Sequence, residues 1–257
     1  MIKVLVFDLD DTLLNRKKKI SAKNKSTLES LMNQGFRVVL CTSRPLRSIR
    51  DFLPHDFLSL CHVLSLNGLV WGNEKKNTTF KKLPSSIKTL FNKIKNKDVV
   101  ISVETDGLLF SSNQKRTDDF DKYQSIKHGD FILPENIDWT LCSKIAIDGR
   151  GSDISEIIKE INDLGFCTIN GLNKTFTNVV PEGFDKVDGL KILLNNWGVS
   201  FKELMSFGDD LPDLKMLKAS GVSVAMGNAT EEVKSISDYI IGDCDSEAIA
   251  EFLNNEI

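Results

Sequence analysis

Long hydrophobic runs are missing from this sequence of 257 residues, and none approaches the ~18 uninterrupted apolar residues of a membrane span. The opening run from Met1 to Phe7 stops at Asp8, too short for the apolar segment of a signal peptide. Cysteine is scarce and odd in number. Cys41, Cys61, Cys142, Cys167 and Cys244 show no C-x-x-C spacing, so neither a disulfide framework nor a zinc site is indicated. A reducing cytoplasmic compartment is expected, which makes N-x-[ST] matches such as Asn77-Thr78-Thr79 chance composition. Charge of one sign is not in excess either. The 33 Lys and Arg against 36 Asp and Glu leave a net charge of -3, which gives no electrostatic basis for binding nucleic acid. The three histidines, His55, His62 and His128, lack metal-ligand spacing and read as structural or surface residues. Trp71, Trp139 and Trp197 read as packing rather than a base-stacking platform. What is present is apolar sequence, 41% of the chain beside 27% charged residues, enough for a packed core and too much for a disordered chain.

At 257 residues the chain stands at the upper edge of what one core supports, so a core with an insertion is expected. The first third alternates strand and helix signals. Residues 3–7, 36–41 and 62–66 read as buried strands. Ser21 can cap a helix reaching residue 33, with Leu28, Leu31 and Met32 on one face and Gly35 closing it, and Pro45 can start a short helix. The same rhythm returns near the end, with helices over 186–197, 211–219, 229–236 and 246–253 and strands over 204–207, 222–225 and 239–241. Strands alternating with helices imply right-handed βαβ units and a parallel sheet, hence the α/β class. The middle differs. Strand candidates over 99–103 and 108–111 flank Thr105-Asp106-Gly107, a hairpin signal. Residues 144–148 and 175–180 are further strand candidates, 154–164 an amphipathic helix, and 93–97 a polar Lys/Asn-rich stretch. The expected division is a core of residues 1–79 and 183–257 and an inserted α+β domain of 80–182, joined through polar stretches at 75–77 and 181–183.

Four short segments carry chemistry. Phe7-Asp8-Leu9-Asp10-Asp11-Thr12 follows a strand directly, at the carboxyl end where parallel sheets bind ligands. Asp8 and Asp10 can point into one crevice, a dense negative site whose natural partner is a hard divalent cation such as Mg²⁺; alone, they would equally suit a turn. A second acidic group, Gly208-Asp209-Asp210-Leu211-Pro212-Asp213, also follows a strand and opens a helix. Helix capping accounts for one of these aspartates and leaves the others without a reason. Cys41-Thr42-Ser43-Arg44 offers hydroxyl and backbone donors suited to a phosphoryl oxygen, although a cap before Pro45 is the plainer role. Lys186 precedes a helix, where a lone lysine is usually solvated, but beside the other three segments it can neutralise carboxylate and phosphate charge.

In order along the chain, these segments resemble the four motifs of the haloacid dehalogenase superfamily of phosphohydrolases, and the whole chain looks like the Cof-type branch (subclass IIB, with a C2 cap). Ser65-Leu66-Asn67-Gly68, the run from Gly221 to Ala229, and Ser237-Asp238-Tyr239-Ile240 add to the likeness. It implies a Rossmann-like three-layer α/β core with a parallel sheet, and a cap between the second and third motifs. Two positions depart from the family pattern. Asp11 stands where glycine is common, and Pro212 replaces an asparagine, which puts the tuning of a metal site in question.

The resemblance also implies roles. Asp8 is the nucleophile that forms an aspartyl-phosphate, and Asp10 the general acid and base. Mg²⁺ is held by Asp8, the backbone of Asp10, Asp209 and Asp213. Thr42 and Lys186 hold phosphoryl oxygens, and Ser43, Arg44 and Asn67 bind phosphate or substrate, with Arg44 equally able to brace its loop. The run Arg16-Lys17-Lys18-Lys19 reads as a solvated loop. The expected function is Mg²⁺-dependent hydrolysis of a small phosphorylated metabolite, a sugar phosphate or phosphorylated cofactor, with specificity set by cap residues that face the core. Two alternatives stand beside it. A phosphomutase would use the same aspartyl-phosphate without releasing phosphate. A non-catalytic phospho-ligand binding protein would be expected to lack Asp8 or Asp10, and both are present.

Overall fold

A computed structural model of the chain describes residues 1–72, 77–114, 130–170 and 174–257. It begins with β1 (Val4–Phe7), α1 (Ala22–Asn33), β2 (Arg37–Cys41), α2 (Leu46–Ile49), α3 (His55–Leu60), β3 (His62–Ser65), β4 (Val70–Gly72) and β5 (Asn77–Thr79). The middle holds α4 (Ile87–Ile94), β6 (Val100–Thr105), β7 (Leu109–Ser112), β8 (Cys142–Asp148), α5 (Ser155–Asp163), β9 (Cys167–Asn170) and β10 (Phe176–Val180). The chain closes with α6 (Lys186–Trp197), β11 (Leu204–Gly208), α7 (Leu214–Ala219), β12 (Val222–Ala225), α8 (Glu231–Ile236), β13 (Tyr239–Ile240) and α9 (Ala248–Glu256). Among the described residues no helix is long and apolar enough to cross a membrane. Lys75, Lys76 and His128, named above, lie outside the described residues.

The first sheet has eight strands in the order β13-β12-β11-β1-β2-β3-β4-β5. Neighbours run parallel from β13 to β3, and β4 and β5 add an antiparallel edge that the sequence signals did not disclose. Central β1 reads Val-Leu-Val-Phe because both of its faces are covered. Leu5 and Phe7 pack with Leu28 of α1 and Ile249 and Leu253 of α9. Val4 and Val6 face the opposite way, onto Leu190, Leu193 and Leu194 of α6 and Met216 of α7. This alternation produces the three-layer α/β arrangement.

The second sheet is antiparallel, in the order β7-β6-β8-β10-β9. One face carries Ile101, Val103, Ile145, Ile147 and Val179 onto helices α4 and α5. The other face presents Ser102, Glu104, Lys144 and Asn178, the polar side of an alternating pattern. The polar, Lys/Asn-rich stretch of 93–97 begins inside helix α4, because Lys93 and Ile94 belong to a helix that buries Ile87, Leu90, Phe91 and Ile94. The helix expected over 211–219 opens as a 3₁₀ turn, Leu211–Asp213, before becoming regular at Leu214.

The two sheets meet at Arg47 of α2. Its side chain is 1% exposed, and it pairs with Glu104 of β6 through Nη2 to Oε1 at 2.6 Å and Nε to Oε2 at 3.2 Å. The Arg47 amide donates to the Gly107 carbonyl at 3.0 Å, and its guanidinium lies 4.6 Å from the Phe110 ring centre. Glu104→Ala removes both of these charge-assisted bonds from a buried guanidinium, so urea unfolding is expected to show a loss of about 2–4 kcal/mol. A loss near zero would mean that water reaches this contact freely.

Candidate active site

The site lies at the carboxyl ends of the central strands. Phe7 is in register with both Phe207 of β11 and Leu40 of β2, so the chain leaves all three strands side by side. Asp8, Thr42 and Asp209 follow these strand ends, and Asn67 follows β3. Lys186 is the first residue of α6. Asp185 caps that helix, accepting from the Val187 amide at 2.9 Å, while the Asp188 side chain accepts from the Asp185 amide at 3.0 Å. A Cβ on Gly189 would lie 2.4 Å from the Gly68 carbonyl oxygen, and Gly68 has a φ of +88°. Glycine at both positions lets α6, and with it Lys186, approach the turn after β3.

Lys186 is buried, and its Nζ donates to Asp8 Oδ1 at 2.5 Å and to Asp213 Oδ1 at 2.7 Å. Asp213 Oδ2 accepts from the amides of Asp209 at 3.1 Å and Asp210 at 3.3 Å. Thr12 Oγ1 donates to Asp209 Oδ1 at 2.7 Å. Carboxylate oxygens of Asp8, Asp209 and Asp213 lie within 4.8 Å of one another. One ammonium cannot balance that much negative charge. Burial pushes the Asp8 carboxyl up to about 7; Lys186 opposes the shift, and Asp213 and Asp209 add to it. Burial also pushes Asp209 up to about 6, with the Thr12 hydrogen bond opposing and the charges of Asp213, Asp11 and Asp210 adding. Burial disfavours the Lys186 ammonium, but Asp8 and Asp213 outweigh it and raise its affinity for the proton.

Asp10 sits apart from this cluster. Arg44 grips both of its oxygens, Nε to Oδ2 at 2.6 Å and Nη2 to Oδ1 at 2.7 Å, and lies over the Phe52 ring at 4.1 Å. Lys18 Nζ adds a contact to Asp10 at 3.1 Å and one to Asp11 at 3.2 Å. Burial would raise the Asp10 carboxyl, but Arg44 and Lys18 together hold it below its ordinary range. The basic run is therefore not simply solvated: Lys18 reaches the site, and Arg16 pairs with Asp243 and Asp245. Thr42 is buried, and its Oγ1 accepts from the Arg44 amide at 3.2 Å, whereas Ser43 is exposed. The Asn67 amide donates to the Thr42 carbonyl at 2.8 Å, and its buried Oδ1 has no hydrogen-bond partner among the described residues.

Both departures from the family pattern have local explanations. Asp11 adopts a φ of 58°, the left-handed region where glycine is easiest and aspartate is tolerated. Pro212 occupies the first turn of the 3₁₀ helix capped by Asp210, where no amide is required. The sequence reading passed over Thr12 and Asn228 as site residues. Thr12 lies inside the first acidic motif, and Asn228, whose Nδ2 donates to the Asp11 carbonyl at 2.7 Å, lies inside the run from Gly221 to Ala229.

Residues 5–253 match the family model described as haloacid dehalogenase-like hydrolase. The chain belongs to this family, in its Cof-type branch. It is 26% identical over 242 residues to 5-amino-6-(5-phospho-D-ribitylamino)uracil phosphatase YcsE of Bacillus subtilis, covering 93% of this chain and 89% of that one. It is 24% identical over 263 residues to the Bacillus subtilis enzyme of the same activity named YitU, covering 97% and 96%. A crystal structure of a haloacid dehalogenase-like hydrolase from Bacteroides thetaiotaomicron superposes with a TM-score of 0.82 at 27% identity, over all of both chains. The chain is thus a hydrolase of the phosphatase class.

Proposed function

We propose that the chain is a Mg²⁺-dependent phosphatase that cleaves a small phosphorylated metabolite through an aspartyl-phosphate on Asp8. The observation that carries this reading is Asp8 itself, a buried carboxylate at the end of the central strand, fixed by Lys186 at 2.5 Å within the acidic cluster. With Oδ1 held, the other carboxylate oxygen attacks phosphorus in line. The new oxygen–phosphorus bond forms as the bond to the leaving oxygen breaks. Lys186 and the Thr42 hydroxyl bind the transferring oxygens, with Ser43 and Asn67 at the rim, while the Thr42 amide is held by the Leu64 carbonyl at 2.9 Å. Asp10 first protonates the leaving alcohol and later deprotonates the water that hydrolyses the intermediate. Arg44 and Lys18 hold Asp10 in its ionised form, the form that takes a proton from water. For its acid role Asp10 starts the cycle carrying a proton taken from solvent; it gives that proton to the leaving alcohol and regains one from the attacking water, so the proton balance closes.

The donors at the acidic cluster are oxygens alone, and burial, with the neighbouring carboxylates adding to it, pushes the Asp8 and Asp209 carboxyls up. Such a site fits a hard divalent cation. Asp8, Asp209, Asp213 and the Asp10 backbone carbonyl would hold Mg²⁺, which would neutralise these carboxylates and the phosphate. Residues 1–79 and 183–257 form the catalytic core in this reading, and residues 80–182 form a cap over it. The two sheets and the Arg47–Glu104 contact support that division.

A phosphate-release screen with Mg²⁺ tests the reading, beginning with the phosphoribitylaminouracil named for the relatives and with sugar phosphates. Chelator is expected to remove at least ~99% of turnover, and excess Mg²⁺ to restore it. Ca²⁺ should support little, because its larger and looser shell misplaces the in-line geometry. Full phosphate release in chelator would overturn the metal assignment.

A further inference from the structure

A cavity of about 340 Å³ separates the polar face of the second sheet from the loop after β2. Arg44, Arg47 and Ser48 line one side of it, and Ser102, Lys144 and Phe176 line the other. Arg44 connects it to the catalytic residues, since the same guanidinium grips Asp10. The sheet register shapes its floor. Ser102 of β6 stands opposite Ala146 of β8, and both line it.

The charges around this cavity are already committed, with one exception. Arg44 is engaged by Asp10, and Arg47 and Glu104 engage each other. Asp148 accepts from the Arg150 amide at 2.7 Å, and four residues of strand place it ~13 Å from Lys144. Lys144 stands opposite Glu104 in the register, but that carboxylate is already gripped at both oxygens by Arg47. Lys144 is half-buried, and among the described residues its ammonium makes no hydrogen bond or ion pair. Burial lowers its proton affinity, the charge of Glu104 opposes this, and Arg47 adds to it. Two cations, Arg47 and Lys144, thus share the single Glu104 carboxylate; a half-buried cation left without an ion pair of its own is costly, and an anionic ligand group would remove that cost.

Building on the phosphatase reading, we propose that this cavity receives the non-reacting end of the substrate and that Lys144 pairs there with a second anionic group. The preferred substrate class is then a phosphate monoester that carries a carboxylate or a further phosphate, rather than a neutral polyol phosphate. Lys144 is a specificity-determining residue in this assignment, and it takes no part in the bond-making step.

The test compares matched pairs on the full-length enzyme with Mg²⁺. Phosphoglycolate, 3-phosphoglycerate and 6-phosphogluconate are set against 2-hydroxyethyl phosphate, glycerol 3-phosphate and sorbitol 6-phosphate. Fructose 1,6-bisphosphate is set against fructose 6-phosphate. At least one pair is expected to favour the carboxylate-bearing or bisphosphate member by ~10-fold or more in kcat/KM, carried mainly by KM, as suits a charge-assisted contact. The arm that responds identifies the group as carboxylate or phosphate. Lys144→Met should bring that ratio to within about twofold of one, and Lys144→Arg should retain most of it. No preference in any pair, or a preference that survives Lys144→Met, would overturn the assignment. Wild-type turnover of p-nitrophenyl phosphate separates the two levels. If it is hydrolysed and no pair discriminates, only the Lys144 assignment fails. If it is not hydrolysed, the phosphatase reading fails and this assignment with it.

Discussion

Asp8→Asn is expected to fold like the wild type and to release phosphate at least ~10⁴-fold more slowly, because a neutral amide is a poor nucleophile and no neighbour can take its place. Asp213 and Asp209 carry carboxylates in the same cluster, but Asp213 is committed to Lys186 and to two backbone amides, and Asp209 to Thr12. Folding should survive, since the substitution removes one charge from a crowd of like charges and Lys186 keeps Asp213 as its partner. Phosphate release from p-nitrophenyl phosphate, with thermal melting as the control for folding, decides the matter. Near-wild-type release by a well-folded variant would remove Asp8 from the nucleophile's role.

Lys186→Met should cost both activity and stability. Its ammonium lies between two buried carboxylates, Asp8 at 2.5 Å and Asp213 at 2.7 Å. Without it, two negative charges face each other in a water-poor site, and a loss of about 3–5 kcal/mol is expected at pH 8. The sign of the pH dependence follows from the direction of the shifts. Asp8 already binds its proton more tightly in the folded chain, with its carboxyl pushed up to about 7, and loss of the lysine pushes it further. The folded state then holds more protons than the unfolded chain across the neutral range, so stability falls as pH rises through the folded value. The deficit of the variant should therefore shrink between pH 8 and pH 6. Mg²⁺ should also recover part of it by binding the folded state alone. Urea midpoints at both pH values, with and without Mg²⁺, measure this. A variant as stable as the wild type at pH 8 would mean that solvent, not Lys186, neutralises Asp8 and Asp213.

The βαβ rhythm was legible in the sequence because its signals are local. Ser21 as the cap of α1, Gly198 in the left-handed cap of α6, and the apolar runs of β1 and β12 each depend on neighbours within a few residues. The loops that hold Asp8, Thr42 and Asp209 were legible for the same reason, since each follows directly on a buried strand. Strands β4, β5 and β9 were not legible. They are short, lie at or next to a sheet edge, and carry too few alternating residues to show a period. Helix α4 was obscured by composition, because its exposed face is rich in Lys and Asn while its buried face is apolar.

By itself, the amino-acid sequence determined an α/β chain with an interrupted parallel sheet, four motif loops and the residue types for phosphoryl chemistry. It did so because hydrophobic period, helix capping and motif spacing act within a few residues of chain. Only the tertiary structure decided which charges meet. Lys186 reaches Asp8 across 178 positions and Asp213 across 27, Arg44 closes on Asp10, and Arg47 pairs with Glu104, which leaves the Lys144 ammonium without an ion pair of its own among the described residues. No spacing encodes these pairings, because each depends on how segments far apart in the chain pack. In a low-dielectric site, the partner a charge finds decides whether it is neutralised, shifted in its proton affinity, or left to be matched by a ligand.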